Sequence, residues 1–194
     1  MRAKGPGQSA LLLLDVIDVL NLLHVSYAIV GAFAASFYGV VRASMDADAV
    51  ISFQHSQAGI KRLLEELRSV GLTITYRKGD VNDPIGAVVN AEDRFHNRVD
   101  LLMDIRNMTA AVFSRTIEAE FMNVRIRVIG AEDFIAMKIF AGSPKDLRDV
   151  AGVLRVSSDR INLTLLRELV RPYGKKALHE LDSLLQAHAS KRFT

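Results

Sequence analysis

The sequence predicts an α+β fold: a mixed sheet flanked by helices, followed by a C-terminal helical subdomain. Three observations carry this. Short apolar or alternating runs of strand length recur at residues 27–30, 48–53, 72–76, 85–89, 98–105 and 123–129, each bounded by turn-forming residues. After Gly130 the pattern changes, and every remaining segment has helical spacing. Apolar residues make up 49% of 194 positions and charged residues 24%, enough to bury one good-sized core. The expected division is a sheet domain over residues 1–130 and a helical subdomain over 131–194.

The elements follow in order. Ser9 is read as the cap of a first helix over residues 9–23, with Asp15 and Asp18 on one outward face; Gly5-Pro6-Gly7 before it reads as a loose leader. Residues 27–30 form a buried strand, and Gly31 opens a short alanine-rich helix to Tyr38. Residues 48–53 form the next strand. Ser56 is expected to cap a helix that runs to Val70 and stops at Gly71. Strands over 72–76, 85–89 and 98–105 are separated by the polar stretches RKGDVNDP and NAEDRFHN. A helix over residues 109–118 then leads to the alternating strand 123–129, and four helices close the chain at 131–141, 144–156, 163–173 and 175–188.

Composition removes several classes of function. With no cysteine there is neither a disulfide framework nor a thiolate metal site, which suits a reducing cytoplasm. The five histidines form no H-E-x-x-H motif, and neither a Walker loop nor G-x-S-x-G occurs. The apolar run at residues 11–23 is interrupted by two acids and is too short to span a bilayer, so no membrane association is expected. The net charge is +3, with Arg171, Lys175, Lys176, Lys191 and Arg192 outnumbering Glu180 and Asp182 near the C-terminus. That balance permits an acidic partner such as a nucleotide or RNA.

The chemistry points to Asp46 and Asp48. Side chains two apart in a strand share a face and lie about 6–7 Å apart. Carboxylates that close repel unless a cation sits between them. A pair of Mg²⁺ ions about 3.5–4 Å apart suits them, given a third oxygen ligand from a neighbouring strand. Asp100, between Val99 and Leu101 in RVDLLMDI, offers that ligand, with Asp104 as the fallback. Gly31, at a strand-to-helix turn, leaves free backbone N–H groups and room for a phosphate.

The stretch YAIVGAFAASFYGVVRASMDADAVISF resembles the signature of the DNA polymerase β-like nucleotidyltransferase superfamily. That signature is an apolar strand, Gly-Gly or Gly-Ser, a spacer, and an acid-x-acid pair between apolar residues, with a third acid on a later strand. YGVVRASMDAD is similar to the form found in small bacterial members. FIAMKIFAGSPKDLRDVAGVL resembles the helices of the abortive-infection toxin type, AbiEii-like. Two positions depart: Ala32 stands where the signature has its second Gly or Ser, keeping the N–H but lacking a hydroxyl, and Ser44 replaces Thr.

The resemblance implies a nucleotidyltransferase-like sheet and transfer of a nucleotide from an NTP, such as ATP, to a hydroxyl acceptor. It assigns Asp46, Asp48 and Asp100 to catalysis and to two Mg²⁺ ions, and Gly31, Ala32, Arg42, Lys138 and Asp146 to the nucleotide. For the toxin type it implies tRNA, other RNA or a protein as acceptor and a cognate antitoxin as partner. Two other readings stay open: an inactive transferase-fold module that binds a nucleotide or partner, and a small-molecule (antibiotic) adenylyltransferase. The residues also allow plainer roles. Arg42 can pair with an acid, Lys138 can snorkel from its apolar helix, Asp146 suits the first turn of a helix capped by Ser143, and Asp149 can pair with Lys145 or a neighbour of Arg148.

Overall fold

The computed structural model describes residues 1–190, so Lys191 and Arg192 of the basic C-terminus lie outside the described residues. The chain forms two compact units. One comprises residues 1–33 and 43–128, the other residues 34–42 and 129 onward.

The first unit is built on a seven-stranded mixed sheet. Its strands are β1 (Ser26–Ile29), β2 (Asp46–Ser52), β3 (Thr73–Lys78), β4 (Ile85–Glu92), β5 (Arg98–Ile105), β6 (Ile117–Phe121) and β7 (Val124–Val128). They are ordered β3-β4-β5-β2-β1-β7-β6. β2 runs parallel to β5 and antiparallel to β1, so the acid-bearing strand is central. Its alternation of half-buried acids with buried Ala47 and Ala49 gives it one polar face and one core face.

Helix α1 (Ser9–Leu22) packs against β2, β5 and helix α3 (Ile60–Ser69). Leu12, Leu13, Ile17 and Leu20 of α1, with Leu63 and Leu67 of α3, are fully buried. The expected outward face of α1 carries exposed Asp18 and half-buried Asp15, while the apolar residues turn inward. Arg2 folds back to hold Asp15 at 2.9 Å and Asp18 at 2.7 Å, offsetting part of the charge on that face.

The N-terminal leader is also fixed rather than loose. Asn97, 1% exposed, donates to Gly5 O and accepts from the Gln8 N–H at 2.6 Å. Gln8 takes the cap position, and Ser9 becomes the first helical residue. The Ser9 hydroxyl instead donates to Met45 O at 2.7 Å and accepts from the Arg98 N–H at 3.1 Å, joining the entrances of β2 and β5. Ser9→Ala leaves both backbone groups without that partner. It should cost about 1–3 kcal/mol, read as a lowered urea midpoint at unchanged slope.

Two other expectations change. α3 begins at Ile60 after Gly59, while Ser56 accepts from the Ala58 N–H and donates to Leu23 O, closing a local turn. The expected helix over 109–118 is a short 3₁₀ turn (Ala110–Arg115) followed by β6. β6 and β7 form a hairpin whose two-residue turn, Met122-Asn123, has positive φ at both positions, the twist that a tight hairpin requires.

The second unit is helical, with α4 (Ala131–Ala141), α5 (Pro144–Ser157), α6 (Leu163–Val170) and α7 (Lys175–Ser190). Residues 34–42 belong to it, and the boundary falls inside α2 (Gly31–Phe37). Tyr38 donates to Ile129 O at 2.6 Å, and burial pushes its phenol well above the ordinary range. Val40 lies so close to Gly152 of α5 that a Cβ there would come within 2.6 Å of its methyl group.

Candidate metal and nucleotide site

Strand pairing sets the site. In the parallel β2–β5 ladder Asp48 lies opposite Asp100 and Asp46 opposite Arg98. One carboxylate oxygen from each of Asp46, Asp48 and Asp100 falls within 4.8 Å of the others, and all three residues are half-buried. Asp104 sits four residues beyond Asp100, about 13 Å along the strand, outside this group.

Each acid is held from outside. Asn90, opposite Asp100 on β4, donates to Asp100 Oδ1 at 2.8 Å. Ser44 Oγ donates to Asp46 Oδ1 at 2.7 Å. Asp48 occupies the space that a side chain at Gly31 would need: a Cβ there would lie 2.0 Å from Asp48 Oδ2. Gly31 also has φ +62°, a conformation that favours glycine. The missing side chain thus makes room first for the carboxylate, while neighbouring Ala32 is buried.

Arg98 spans the acids. Its Nε lies 3.0 Å from Asp100 Oδ1, its Nη2 donates to Asp100 Oδ2 at 3.0 Å, and the same Nη2 is 3.7 Å from Asp46 Oδ2. The charge and hydrogen bonds of Asp100 raise the guanidinium above its ordinary value against a small opposing effect of burial, with Asp46 and Asp48 adding to the rise. Three converging carboxylates that attract a cation are a hard-oxygen donor set, and they fit a divalent ion of the Mg²⁺ type.

The other residues singled out from sequence form a cluster within the second unit. Lys138, 6% exposed, places Nζ 2.6 Å from Asp146 Oδ1 and 3.0 Å from Asp149 Oδ2. Ser143 Oγ donates to Asp146 Oδ2 and accepts from the Asp146 N–H at 3.2 Å, capping α5. Arg42 Nε lies 3.2 Å from Asp149 Oδ1. Asp149 therefore pairs with Lys138 and Arg42, not with Lys145 or a neighbour of Arg148. It lies inward on α5 and is 2% exposed, so only cations reaching into the unit can meet it.

Burial pushes the Asp146 carboxyl up, but hydrogen bonds from Lys138 and Ser143 outweigh it and hold the group below its usual value of 3.8. A lowered folded pKa stabilises the protein above the unfolded value and loses that contribution as pH falls through the folded one. Asp146→Asn should therefore destabilise at neutral pH, with the gap from wild type narrowing below about pH 4. Thermal unfolding at stepped pH measures this.

Residues 12–188, nearly the whole chain, match the family described as nucleotidyltransferase of unknown function, DUF6036. The chain belongs to that nucleotidyltransferase family. None of the curated proteins compared with it is similar in sequence.

Solved structures share the fold of this DUF6036 nucleotidyltransferase at low identity. The solution structure of the antibiotic-resistance factor ANT(2'')-Ia is 12% identical, covers 95% of this chain and 97% of its own, and has a TM-score of 0.59. An antigenic nucleotidyltransferase-like protein from Paracoccidioides brasiliensis is 16% identical, with 95% of each chain covered and a TM-score of 0.51. The lincomycin-bound lincosamide antibiotic adenylyltransferase LnuA is 12% identical over 75% of this chain and 96% of its own, with a TM-score of 0.50.

Sequence reasoning missed Ser9, Asn90 and Arg98 as neighbours of the acids. Arg98 had a readable signal, because it is two residues before Asp100 in the same strand and must share its face. Asn90 and Ser9 come into place through strand register and through an N-terminal segment fixed by a residue far along the chain.

Proposed function

We propose that this nucleotidyltransferase moves a nucleoside monophosphate from an NTP to a hydroxyl acceptor at the Asp46, Asp48 and Asp100 cluster. The supporting observation is the convergence of these carboxylates within 4.8 Å at the paired entrances of β2 and β5. Two Mg²⁺ ions held by Asp46 and Asp48, one of them also by Asp100, would acidify the acceptor hydroxyl and neutralise charge on the triphosphate. Asp100 would take the proton as the acceptor oxygen attacks the α-phosphorus, and the new P–O bond would form as the bond to pyrophosphate breaks. Gly31 and Ala32 contribute first-turn N–H groups to the phosphates. Positioning and electrostatics then supply most of the rate, as in phosphoryl transfer generally.

For the acceptor we favour RNA, in particular tRNA, or a protein, in the manner of the toxin-type relatives, with an antitoxin as partner. The exposed basic run Arg171, Lys175 and Lys176 supports an acidic macromolecule. A small hydroxylated acceptor is the second reading, favoured by fold neighbours whose names are those of antibiotic-modifying proteins. No helix among the described residues is long and apolar enough to cross a membrane.

Incubation with Mg²⁺, each NTP labelled at the α- or γ-phosphate, total RNA and cell extract tests this reading. Transfer of α-label with release of γ-label as pyrophosphate supports it, and the labelled product names the acceptor. Nucleotide binding with no transfer of α-label under any condition would instead mark a binding module.

A further inference from the structure

The geometry points to Arg98 as a built-in counter-ion that occupies Asp100 and must swing away before that carboxylate can ligate a divalent cation. This rests on the proposed metal-binding role of the acids and adds a competitor to it. Both oxygens of Asp100 are engaged by the Arg98 fork, at 3.0 Å each, and Oδ1 also accepts from Asn90. Asp46 meets Arg98 only at 3.7 Å and keeps a separate bond from Ser44, so the competition is concentrated at Asp100.

The two side chains differ in freedom. That of Asp100 is 14% exposed and fixed by Asn90, whereas that of Arg98 is 46% exposed on a long flexible stem. When a cation arrives, Arg98 is the partner that can leave for water. A guanidinium fork and a divalent ion on the same two oxygens repel each other and compete for the lone pairs that Asn90 leaves. Arg98 therefore holds the acids together in the metal-free protein, where their repulsion would otherwise splay them, and raises the cation concentration needed to recruit Asp100.

The test is a titration of the full chain with Mn²⁺ alone, without nucleotide, followed by electron paramagnetic resonance. Wild type, Arg98→Ala, Arg98→Lys and Asp48→Ala are compared. Arg98→Ala should bind Mn²⁺ about five- to tenfold more tightly, the scale of a partly exposed but bidentate ion pair. Arg98→Lys, which keeps charge but loses the fork, should fall between it and wild type. Without metal, Arg98→Ala should melt below wild type, and Mn²⁺ should raise its melting temperature by more. Unchanged or weaker Mn²⁺ binding in Arg98→Ala, with wild type binding normally, overturns the counter-ion role and leaves Arg98 as a support for Asp100. Absence of Asp48-dependent Mn²⁺ binding in both wild type and Arg98→Ala overturns the metal reading itself.

Discussion

Asp48→Ala should reduce nucleotidyl transfer by at least about a thousandfold while leaving the protein folded, because metal-borne stabilisation of several kcal/mol is lost at about tenfold per 1.4 kcal/mol. Asp48 is the most revealing of the three acids. It faces Asp100 across the ladder, follows Asp46 on the same strand face and sits against Gly31. Asp46→Ala and Asp100→Ala should give losses of similar order, since residues acting through one shared centre are not additive. The double variant Asp46→Ala/Asp48→Ala should then be little worse than either single change. Steady-state transfer of α-label, beside circular dichroism and melting temperature, measures both quantities. Substantial transfer by a folded Asp48→Ala protein would contradict the assignment.

Gly31→Ala should be the second most damaging change, for two separable reasons. An L-residue at φ +62° costs about 1–2 kcal/mol in backbone strain. The added Cβ would also lie 2.0 Å from Asp48 Oδ2 and 2.8 Å from its Cγ, so the carboxylate must leave its place among the acids. Transfer should therefore fall much further than that strain alone explains. A double-mutant cycle separates the two parts. In an Asp48→Ala background the clash with the carboxylate is gone and only a 3.1 Å approach to the remaining Cβ is left, so Gly31→Ala should cost little beyond the backbone portion. Equal destabilisation in both backgrounds would show that the glycine serves the turn and not the acid.

The convergence of the three acids was legible because β-strand periodicity carries its own geometry. Asp46 and Asp48 had to share a face, and an acid set among the apolar residues of RVDLLMDI had to meet either a cation or water. The surrounding shell was less legible. Arg98 obeys the same two-residue rule as the acids, yet the partner of an acid is not marked by its type alone. Asn90 reaches Asp100 only once the β4–β5 register is known. The N-terminal strap reads as loose because the residue that fixes it, Asn97, is some 90 positions away. Residues 109–118 read as helix because helical propensity there competes with a hairpin whose turn, Met122-Asn123, lacks the usual glycine. The sequence offers Asp149 only near neighbours as partners, whereas burial selects Lys138 from the preceding helix and Arg42 from over a hundred residues upstream. From the sequence Gly31 reads as space for a ligand, and the space is first taken by Asp48.

The most direct measurement is anomalous diffraction from crystals grown with Mn²⁺ and a non-hydrolysable NTP analogue. Mn²⁺ should lie within about 2.5 Å of carboxylate oxygens of Asp46 and Asp48. Phosphate oxygens of the analogue should ligate the same ion, with Arg98 turned away from Asp100. Bound nucleotide whose Mn²⁺ sits elsewhere, with Arg98 still forked on Asp100, would contradict this arrangement.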